Sequence, residues 1–261
     1  MDKQPWLKRK QAELDELHGL CNSIEELELV VELLERFTYL RGDDFEVAAA
    51  AIVNTVHVEW KLIPATTLII PKGSKSDSSQ AVTYLMQAPF EALNAGWSKQ
   101  NFTTSLTSAI LSPTARSLIL IDDFSGSGNS LNKLANWIEA KAKELRVPSK
   151  PVYACFFCAM EQTMAQTYPT NLKEIYASKW IKKGISEFYA ASDIAPKIET
   201  MKRIESRLHK LPSQYSLGYE ASEALYACHS FNIPNNNFPI FWYKRGPSGR
   251  TLKPLFQRMM R

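Results

Sequence analysis

The chain has 261 residues, of which 45% are hydrophobic and 22% charged, and its formal net charge is +4. This length suits one substantial domain with additions or two small domains, and the mild charge permits a phosphate-bearing ligand or a nucleic-acid contact without demanding either. The chain shows no apolar run long enough to span a membrane and no signal-peptide stretch at its start, and its four scattered cysteines exclude a disulfide framework, so we expect a cytoplasmic protein without a membrane partner.

Helical patterns fill the first 63 residues. Ser23 and Glu26 have the spacing of a capping box at the start of an amphipathic helix, and an alanine-rich stretch follows. The first strand signal comes after these helices. We therefore expect an N-terminal helical cap, residues 1–63, and a second domain, residues 64–261. The predicted helices cover residues 6–20, 23–40 and 44–62.

The first predicted strand, residues 67–71, runs into a basic loop of small polar residues. Ligands of open α/β sheets collect at the carboxyl ends of the strands, so the loop predicts an anion site. Lys-Gly-Ser-Lys is also common in solvated turns, which is the alternative explanation. The candidate binding residues are Lys72, Gly73, Ser74 and Lys75.

The most informative stretch is residues 118–131, Leu-Ile-Leu-Ile-Asp-Asp-Phe-Ser-Gly-Ser-Gly-Asn-Ser-Leu. Four branched aliphatic residues predict a strand buried on both faces. We expect the strand to end at Asp122 and Asp123, because unpaired carboxylates cannot continue into an apolar core. Apolar residues at three- and four-residue spacing then predict a helix over residues 130–146. The loop between strand and helix consists of Ser125, Gly126, Ser127, Gly128, Asn129 and Ser130.

A strand, a loop of small residues and a helix start together form an anion-binding cradle, because free amides and the positive helix end point into it. Two acids beside such a cradle suit a sugar phosphate, whose hydroxyls donate to carboxylates while its phosphate accepts from amides and serine hydroxyls. Mg²⁺ carried on the phosphates of the ligand would reduce the repulsion between the anions. No protein residue is assigned as a metal ligand.

This arrangement resembles the 5-phosphoribosyl-1-diphosphate (PRPP) loop of the type I phosphoribosyltransferases, which has four hydrophobic residues, two acids, two hydrophobic or small residues and then Thr-Thr-Gly-x-Thr. In that family the acids hold the ribose 2′- and 3′-hydroxyls, the loop wraps the 5′-phosphate, and the loop after an early strand binds diphosphate. The resemblance implies an α/β fold with a mainly parallel sheet of phosphoribosyltransferase type, flanked by N-terminal helices and a C-terminal extension. It also implies catalytic roles for Asp122 and Asp123.

An ordinary strand-to-helix turn with Ser130 as the helix cap is the alternative. The coincidence of the acids, the loop and the cap favours the phosphoribosyl interpretation. Gly126 departs from the family pattern, since purine-salvage members often place a carboxylate base there and glycine cannot abstract a proton. By its position, the polar stretch 97–107 would be the mobile loop of the family, and it suits a surface loop equally well.

Two further features have structural explanations. Cys155 and Cys158 lie three residues apart in a predicted strand, which places the thiols on opposite faces and favours core packing over zinc or redox use. A later helix has a basic face that could contact nucleic acid, although a solvated face is the simpler explanation. The cysteines lie in the strand predicted at residues 152–159. A further strand is predicted at residues 174–181, and the helix with the basic face at residues 196–211.

The C-terminal region contains Asn-Ile-Pro-Asn-Asn-Asn, a proline shortly before a tryptophan, and Pro-Leu-Phe-Gln-Arg near the end. These motifs resemble those of phosphoribosyltransferase-like proteins of bacterial conflict systems, including effectors encoded beside retron reverse transcriptases. A triple asparagine between prolines also suits a rigid loop.

Together the two resemblances imply a phosphoribosyltransferase, or an effector that cleaves an N-glycosidic bond, acting on PRPP or a related ribose 5-phosphate in antiphage defence. The first alternative is a catalytically silent nucleotide-binding module that works in a complex of reverse transcriptase and RNA-DNA. The second is an unrelated doubly wound phosphate-binding protein. An oligomer is compatible with each of them.

Overall fold

The computed structural model describes residues 4–73 and 78–259, so Ser74 and Lys75 of the predicted anion loop lie outside the described residues. The chain forms two compact units. The central unit is residues 41–180, and the terminal unit is residues 1–40 with residues 181–261. The domain boundary expected near residue 63 stays a prediction.

The fold is α/β with mainly parallel strands, as the sequence predicted. The strands are β1 (Thr38–Leu40), β2 (Thr67–Pro71), β3 (Ser117–Ser125), β4 (Val152–Met160), β5 (Leu172–Ile181) and β6 (Tyr226–Cys228). The helices are α1 (Gln11–His18), α2 (Ile24–Glu35), α3 (Asp43–Asn54), α4 (Ser78–Leu85), α5 (Gln87–Glu91), α6 (Leu106–Leu111), α7 (Asn129–Glu144) and α8 (Ala191–Glu205).

The central unit is built on a four-stranded sheet in the order β2-β3-β4-β5. β3 pairs in parallel with β2, from Thr67 opposite Ser117 to Pro71 opposite Ile121. It also pairs in parallel with β4, from Leu118 opposite Val152 to Ser125 opposite Ala159. The four aliphatic residues of β3 are fully buried, which is why this strand occupies the middle of the sheet. α7 covers the sheet through Leu131, Ala135, Ile138 and Ala142.

The expectation that β3 ends at its acids is wrong. The strand continues through both carboxylates to Ser125, which lies opposite Ala159 of β4. The acids can stay in the strand because polar side chains from other elements pair with them, as described below. Two helix ends also differ from the prediction. The helix expected to reach residue 40 ends as α2 at Glu35, and β1 follows it. The helix expected to reach residue 62 ends as α3 at Asn54 and continues into a π-helical turn, Thr55–Glu59.

The terminal unit joins both ends of the chain. β1 pairs in parallel with β6, from Thr38 opposite Tyr226 to Leu40 opposite Cys228. α2 packs on α8, which begins five residues before Pro196, the residue that had been expected to start the helix. Three cations of the basic face of α8 form ion pairs with α2, while Lys202 and Lys210 are exposed to solvent. These ion pairs are Lys197 with Glu32, Arg203 with Glu25 and Glu26, and Arg207 with Glu26.

The triple asparagine is a structural element of the terminal unit. Asn237 is fully buried, accepts a hydrogen bond from the Tyr226 amide at 2.8 Å and donates to the Pro234 carbonyl at 2.9 Å. The indole of Trp242 donates to the Asn237 carbonyl at 2.9 Å. These contacts fold the asparagine segment against β6. Within the described ranges 4–73 and 78–259, the helices are too short or too polar to cross a membrane.

Candidate functional site

The candidate site lies at the carboxyl ends of β2 and β3. Because Pro71 pairs with Ile121, the next residue of each strand reaches the same edge of the sheet. The Lys72 amide donates to the Ile121 carbonyl at 2.9 Å, which continues the ladder by one bond. This register places the first cation after β2 beside the first acid of β3.

Lys72 connects the acids to the start of α7. Its ammonium lies 3.0 Å from an Asp122 carboxylate oxygen and donates to the Ser130 hydroxyl at 3.1 Å. The same ammonium lies 5.8 Å from the ring centre of Phe156 in β4. One side chain thus spans the distance between the acid pair and the end of the serine-glycine loop, so both parts of the predicted site face one another.

Asp122 and Asp123 are buried, with 6% and 3% of their surfaces exposed. The Ser78 hydroxyl donates to Asp123 at 2.6 Å and also lies 3.4 Å from Asp122, and the Asp123 amide donates to the Asp122 carboxylate at 2.9 Å. Burial, followed by the neighbouring charge of Asp122, raises the pKa of Asp123 well above its usual range. Lys72 and Ser78 are among the groups that offset the burial of these acids.

The loop after β3 is held from its carbonyl side by the segment that follows β4. The buried Thr163 hydroxyl donates to the Gly126 carbonyl at 2.9 Å and lies 3.2 Å from the Ser125 hydroxyl. The side-chain amide of Gln166 donates to the Ser127 carbonyl at 3.0 Å. Because these contacts use acceptors of the loop, they leave its amide donors for other partners.

The loop amides are the donors that an anion would need. Among the described residues, no acceptor lies within hydrogen-bonding distance of the amides of Gly126, Ser127 and Gly128. Gly128 has a φ of 80°, and a Cβ atom there would overlap the Tyr168 hydroxyl. Only glycine fits this position, because the backbone is left-handed and the neighbouring side chain is close.

Ser130 is not the cap of α7. The helix begins at Asn129, and its N-cap residue, Gly128, has no side chain to cap it. The Asn129 amide donates to the Ser127 hydroxyl at 3.4 Å. Ser130 lies in the first turn, exposed, with its hydroxyl in contact with Lys72. The loop amides beside this helix start are the donors that could bind an anion.

A family model named PRTase-CE matches residues 20–258 of the chain. The chain belongs to this phosphoribosyltransferase-type family. The match confirms the family resemblance that the acids and the loop indicate, and with it a phosphoribosyltransferase-like function. No curated protein matches the chain.

Two other predicted parts of the site in the PRTase-CE chain, Gly73 and the stretch 97–107, form contacts with neighbouring elements. The Gly73 amide donates to the Ser79 hydroxyl at 2.9 Å, which connects the loop after β2 to α4. In the stretch 97–107, Phe102 forms a parallel bridge with Ile69 of β2. The buried side-chain amide of Asn101 donates to the Pro64 and Thr67 carbonyls. The part of this stretch next to β2 is therefore tied to the sheet edge.

The two cysteines of β4 are free and buried, and burial raises the pKa of both thiols. Both side chains belong to the core of the PRTase-CE sheet, as predicted from their strand spacing. Among the described residues, no three histidine, cysteine or acidic side chains cluster as a metal site would require.

Sequence reasoning missed three residues of this site, namely Thr163, Gln166 and Tyr168. All three follow β4, the strand beside β3, so their position could have been found by the rule that places ligands at the carboxyl ends of neighbouring strands. Ser78 belongs to the polar run after β2 that predicted an anion site, but its contact with the acids depends on how α4 packs beside β3.

Proposed function

We propose that this PRTase-CE chain binds PRPP or a related ribose 5-phosphate at the carboxyl end of β3 and transfers the phosphoribosyl group. The observation that carries the proposal is the Lys72 ammonium, which contacts both Asp122 and Ser130. This contact supports the proposal because a carboxylate pair and a loop with amide donors then share one rim, which is the combination that a pentose phosphate requires.

Each group has a distinct part in binding. The carboxylates of Asp122 and Asp123 accept hydrogen bonds from the ribose hydroxyls, and the amides of Gly126, Ser127 and Gly128 donate to the 5′-phosphate. Lys72 must leave Asp122 for the ribose to enter. The phosphate oxygens of the ligand offer its ammonium stronger charge partners, so ligand binding and Lys72 movement are coupled.

The reaction breaks the bond between the sugar C1 and the diphosphate oxygen, and the diphosphate departs with the electron pair. A nucleophile on the acceptor forms the new bond to C1 and loses its proton to solvent or to a base on the acceptor, since Gly126 supplies none. Positive charge develops on the ring, close to the Asp122 and Asp123 pair, which stabilises it. The 5′-phosphate contacts contribute binding energy remote from the reacting atom.

Mg²⁺ would bind at this site together with the ligand, whose phosphates would supply the other metal ligands. Asp122 and Asp123 offer at most two carboxylates, and Mg²⁺ commonly binds through one or two carboxylates plus substrate phosphates. Bound in this way, it would neutralise charge on the departing diphosphate. Lys72 supplies a second cation at the same edge of the sheet.

Calorimetry with PRPP and Mg²⁺ tests the proposal. We expect micromolar binding by the wild-type chain and its loss in the double variant Asp122→Asn, Asp123→Asn, because neutral amides accept weakly from the ribose hydroxyls. The matched control Glu139→Gln, Glu144→Gln removes two carboxylates from α7 and should bind as wild type. Circular dichroism checks that each variant is folded. Unchanged affinity in the Asp122, Asp123 variant would reject the proposed roles.

A second candidate function is a binding module without turnover, working with a reverse transcriptase and its nucleic acid. Gly126 in place of a base and the neutralisation of Asp122 by Lys72 favour it. Incubation with PRPP, nucleotides and NAD⁺, followed by mass spectrometry, separates the two functions. Absence of products together with co-purified nucleic acid would favour the module.

The cellular context that we propose is bacterial antiphage defence of the retron type, which rests on the C-terminal resemblance. Phage challenge of cells that express the chain with its neighbouring genes tests it. Protection that disappears in the Asp122→Asn, Asp123→Asn variant would support the proposal. Equal phage titres with and without the chain would contradict it.

A further inference from the structure

Helix α2 has two apolar faces. One is buried in the core of the terminal unit through Leu29, Val30, Leu33 and Leu34. The other consists of Ile24, Leu27 and Val31, whose spacing of three and four residues puts them along one side of the helix. Ile24 is 71% exposed and Val31 47% exposed. Aliphatic side chains aligned in this way are typical of a surface that binds a partner.

A groove runs beside this second face. It has a volume of about 270 Å³ and lies between α2, α1 and the turn Pro5–Arg9. Leu14, Leu27 and Val31 are among its apolar lining residues, and Asp15, His18 and Glu35 are polar residues at its edge. Pockets for drug-sized molecules usually exceed about 300 Å³, so the groove suits a few side-chain anchors better than a cofactor.

The two helices that line the groove are rich in acidic residues. Residues 11–35 contain eight carboxylates and no lysine or arginine, although the whole chain has a net charge of +4. Five of these carboxylates form ion pairs with cations of the same unit, so they serve the fold. The pairs are Glu13 with Lys10, Glu16 with Arg250, Glu25 with Arg203, Glu26 with Arg207 and Glu32 with Lys197.

Asp15 differs from those five acids. It lines the groove, and its carboxylate accepts from the neutral amide of Gln11 at 2.8 Å. Within the described part of the chain, no lysine or arginine lies within ion-pair distance of it. A cation brought by a partner would therefore find an available carboxylate directly beside an apolar groove.

We propose that the groove between α1 and α2 binds an amphipathic helix of a partner protein, with leucine-like residues on one face and lysine or arginine beside them. The apolar face would enter the groove against Leu14, Leu27 and Val31, as in other helix-in-groove complexes. Its cations would lie against Asp15 and the acidic edge. This function is independent of the ribose-phosphate site.

A second copy of the same chain suits the groove less well. A symmetric dimer through this surface would bring the acidic edges of two identical grooves together. Like charges placed opposite one another disfavour association. The charge pattern therefore favours a basic partner.

Fluorescence anisotropy with a labelled helical peptide of leucine and lysine at amphipathic spacing tests the proposal on the full chain. We expect the wild-type chain to bind it, and Val31→Asn to weaken binding about tenfold, because an apolar contact is lost. Asp15→Asn should weaken it about threefold, the effect of a rim charge. Both side chains are exposed, so both variants should stay folded, which urea unfolding checks.

The controls distinguish binding in the groove from nonspecific attraction between a basic peptide and acidic residues elsewhere on the protein. Val47→Asn on α3 and Glu28→Gln on α2 remove an exposed valine and an exposed acid that do not line the groove, and both should bind as wild type. A peptide of leucine and glutamate should not bind. Absence of binding, equal binding by Val31→Asn, or equal binding of the acidic peptide would overturn the proposal. So would sedimentation that shows a wild-type dimer abolished by Val31→Asn.

Discussion

Lys72 and Asp122 form an ion pair of 3.0 Å at the end of the central strand, with only 10% and 8% of their side chains exposed. Two charges this well shielded from water depend on each other, since either one alone would be buried without a counter-charge. Removing either partner should therefore destabilise the protein, and under the proposed function the pair opens when a ribose phosphate binds.

Replacing Lys72 should destabilise the protein through Asp122. We expect Lys72→Met to lower the free energy of unfolding by about 3 kcal/mol, because it leaves a buried carboxylate unpaired. The double variant Lys72→Met, Asp122→Asn should regain most of that loss, since the orphaned charge is gone. Urea unfolding measures both, with Lys8→Met as an exposed control. Equal stability of Lys72→Met and wild type would show that the pair contributes nothing.

The Thr163 hydroxyl should matter for both loop stability and ligand affinity. Thr163→Val keeps the shape but leaves the Gly126 carbonyl without its donor, so we expect a loss of about 1–2 kcal/mol in the free energy of unfolding. If the loop binds phosphate, the affinity for PRPP should fall about tenfold, while Thr163→Ser retains it. Calorimetry and urea unfolding measure these effects, with Thr170→Val as the control. A PRPP affinity unchanged by Thr163→Val would show that the loop does not need this contact.

Gly128 should not tolerate a side chain. Gly128→Ala forces a left-handed residue and an overlap with the Tyr168 hydroxyl, so we expect a loss of about 1–3 kcal/mol in unfolding free energy. The same change should cost less in a Tyr168→Phe background, where the overlapping oxygen is absent. Gly19→Ala is the matched control, because Gly19 has an ordinary φ of −64°. A loss of stability in thermal unfolding that is equal for Gly128→Ala and Gly19→Ala would contradict this explanation.

Glu205 should make the terminal unit sensitive to pH. Its carboxylate is 3% exposed and accepts from Ser216 and the Leu217 amide, and burial raises its pKa from 4.5 to about 7. A raised pKa favours the protonated folded state. The resulting stabilisation is therefore complete below pH 4.5 and is lost as the pH rises to about 7, by an amount on the order of 3 kcal/mol.

Urea unfolding of Glu205→Gln checks that sign. The amide does not titrate, so the stability of the variant relative to wild type should increase between pH 4.5 and pH 7. Glu199→Gln, an exposed change on the same helix, should follow the wild type across this range. A difference between Glu205→Gln and wild type that stays constant with pH would mean that the Glu205 carboxyl titrates normally.

Much of the central unit was predictable from local pattern. The bounds of β2 agree with the prediction, β4 differs by a single residue, and α7 differs by one residue at its start and two at its end. Each has a continuous apolar run or a helical spacing that ends at small or polar residues, so the signal is contained in neighbouring positions. The same local signal misplaced the end of β3, because it assumed that Asp122 and Asp123 had no partners.

Short and distant pairings were not predictable in this way. β1 and β6 have three residues each and join opposite ends of the chain, so neither has a periodic pattern of its own. The basic face of α8 likewise gave no indication that it would pair with the acids of α2. Both features depend on packing between segments that are remote in sequence.

The sequence alone determined the order of strand, acid pair, glycine-serine loop and helix, and with it the phosphoribosyltransferase-type family, because burial and backbone freedom are local properties of those residues. Only the tertiary structure decided which groups face the acids and the loop. Lys72 and Ser130 are 58 positions apart, and Thr163 reaches the loop from the short helical turn that follows β4. The partners of a buried charge depend on strand register and helix packing, which no single stretch of sequence contains.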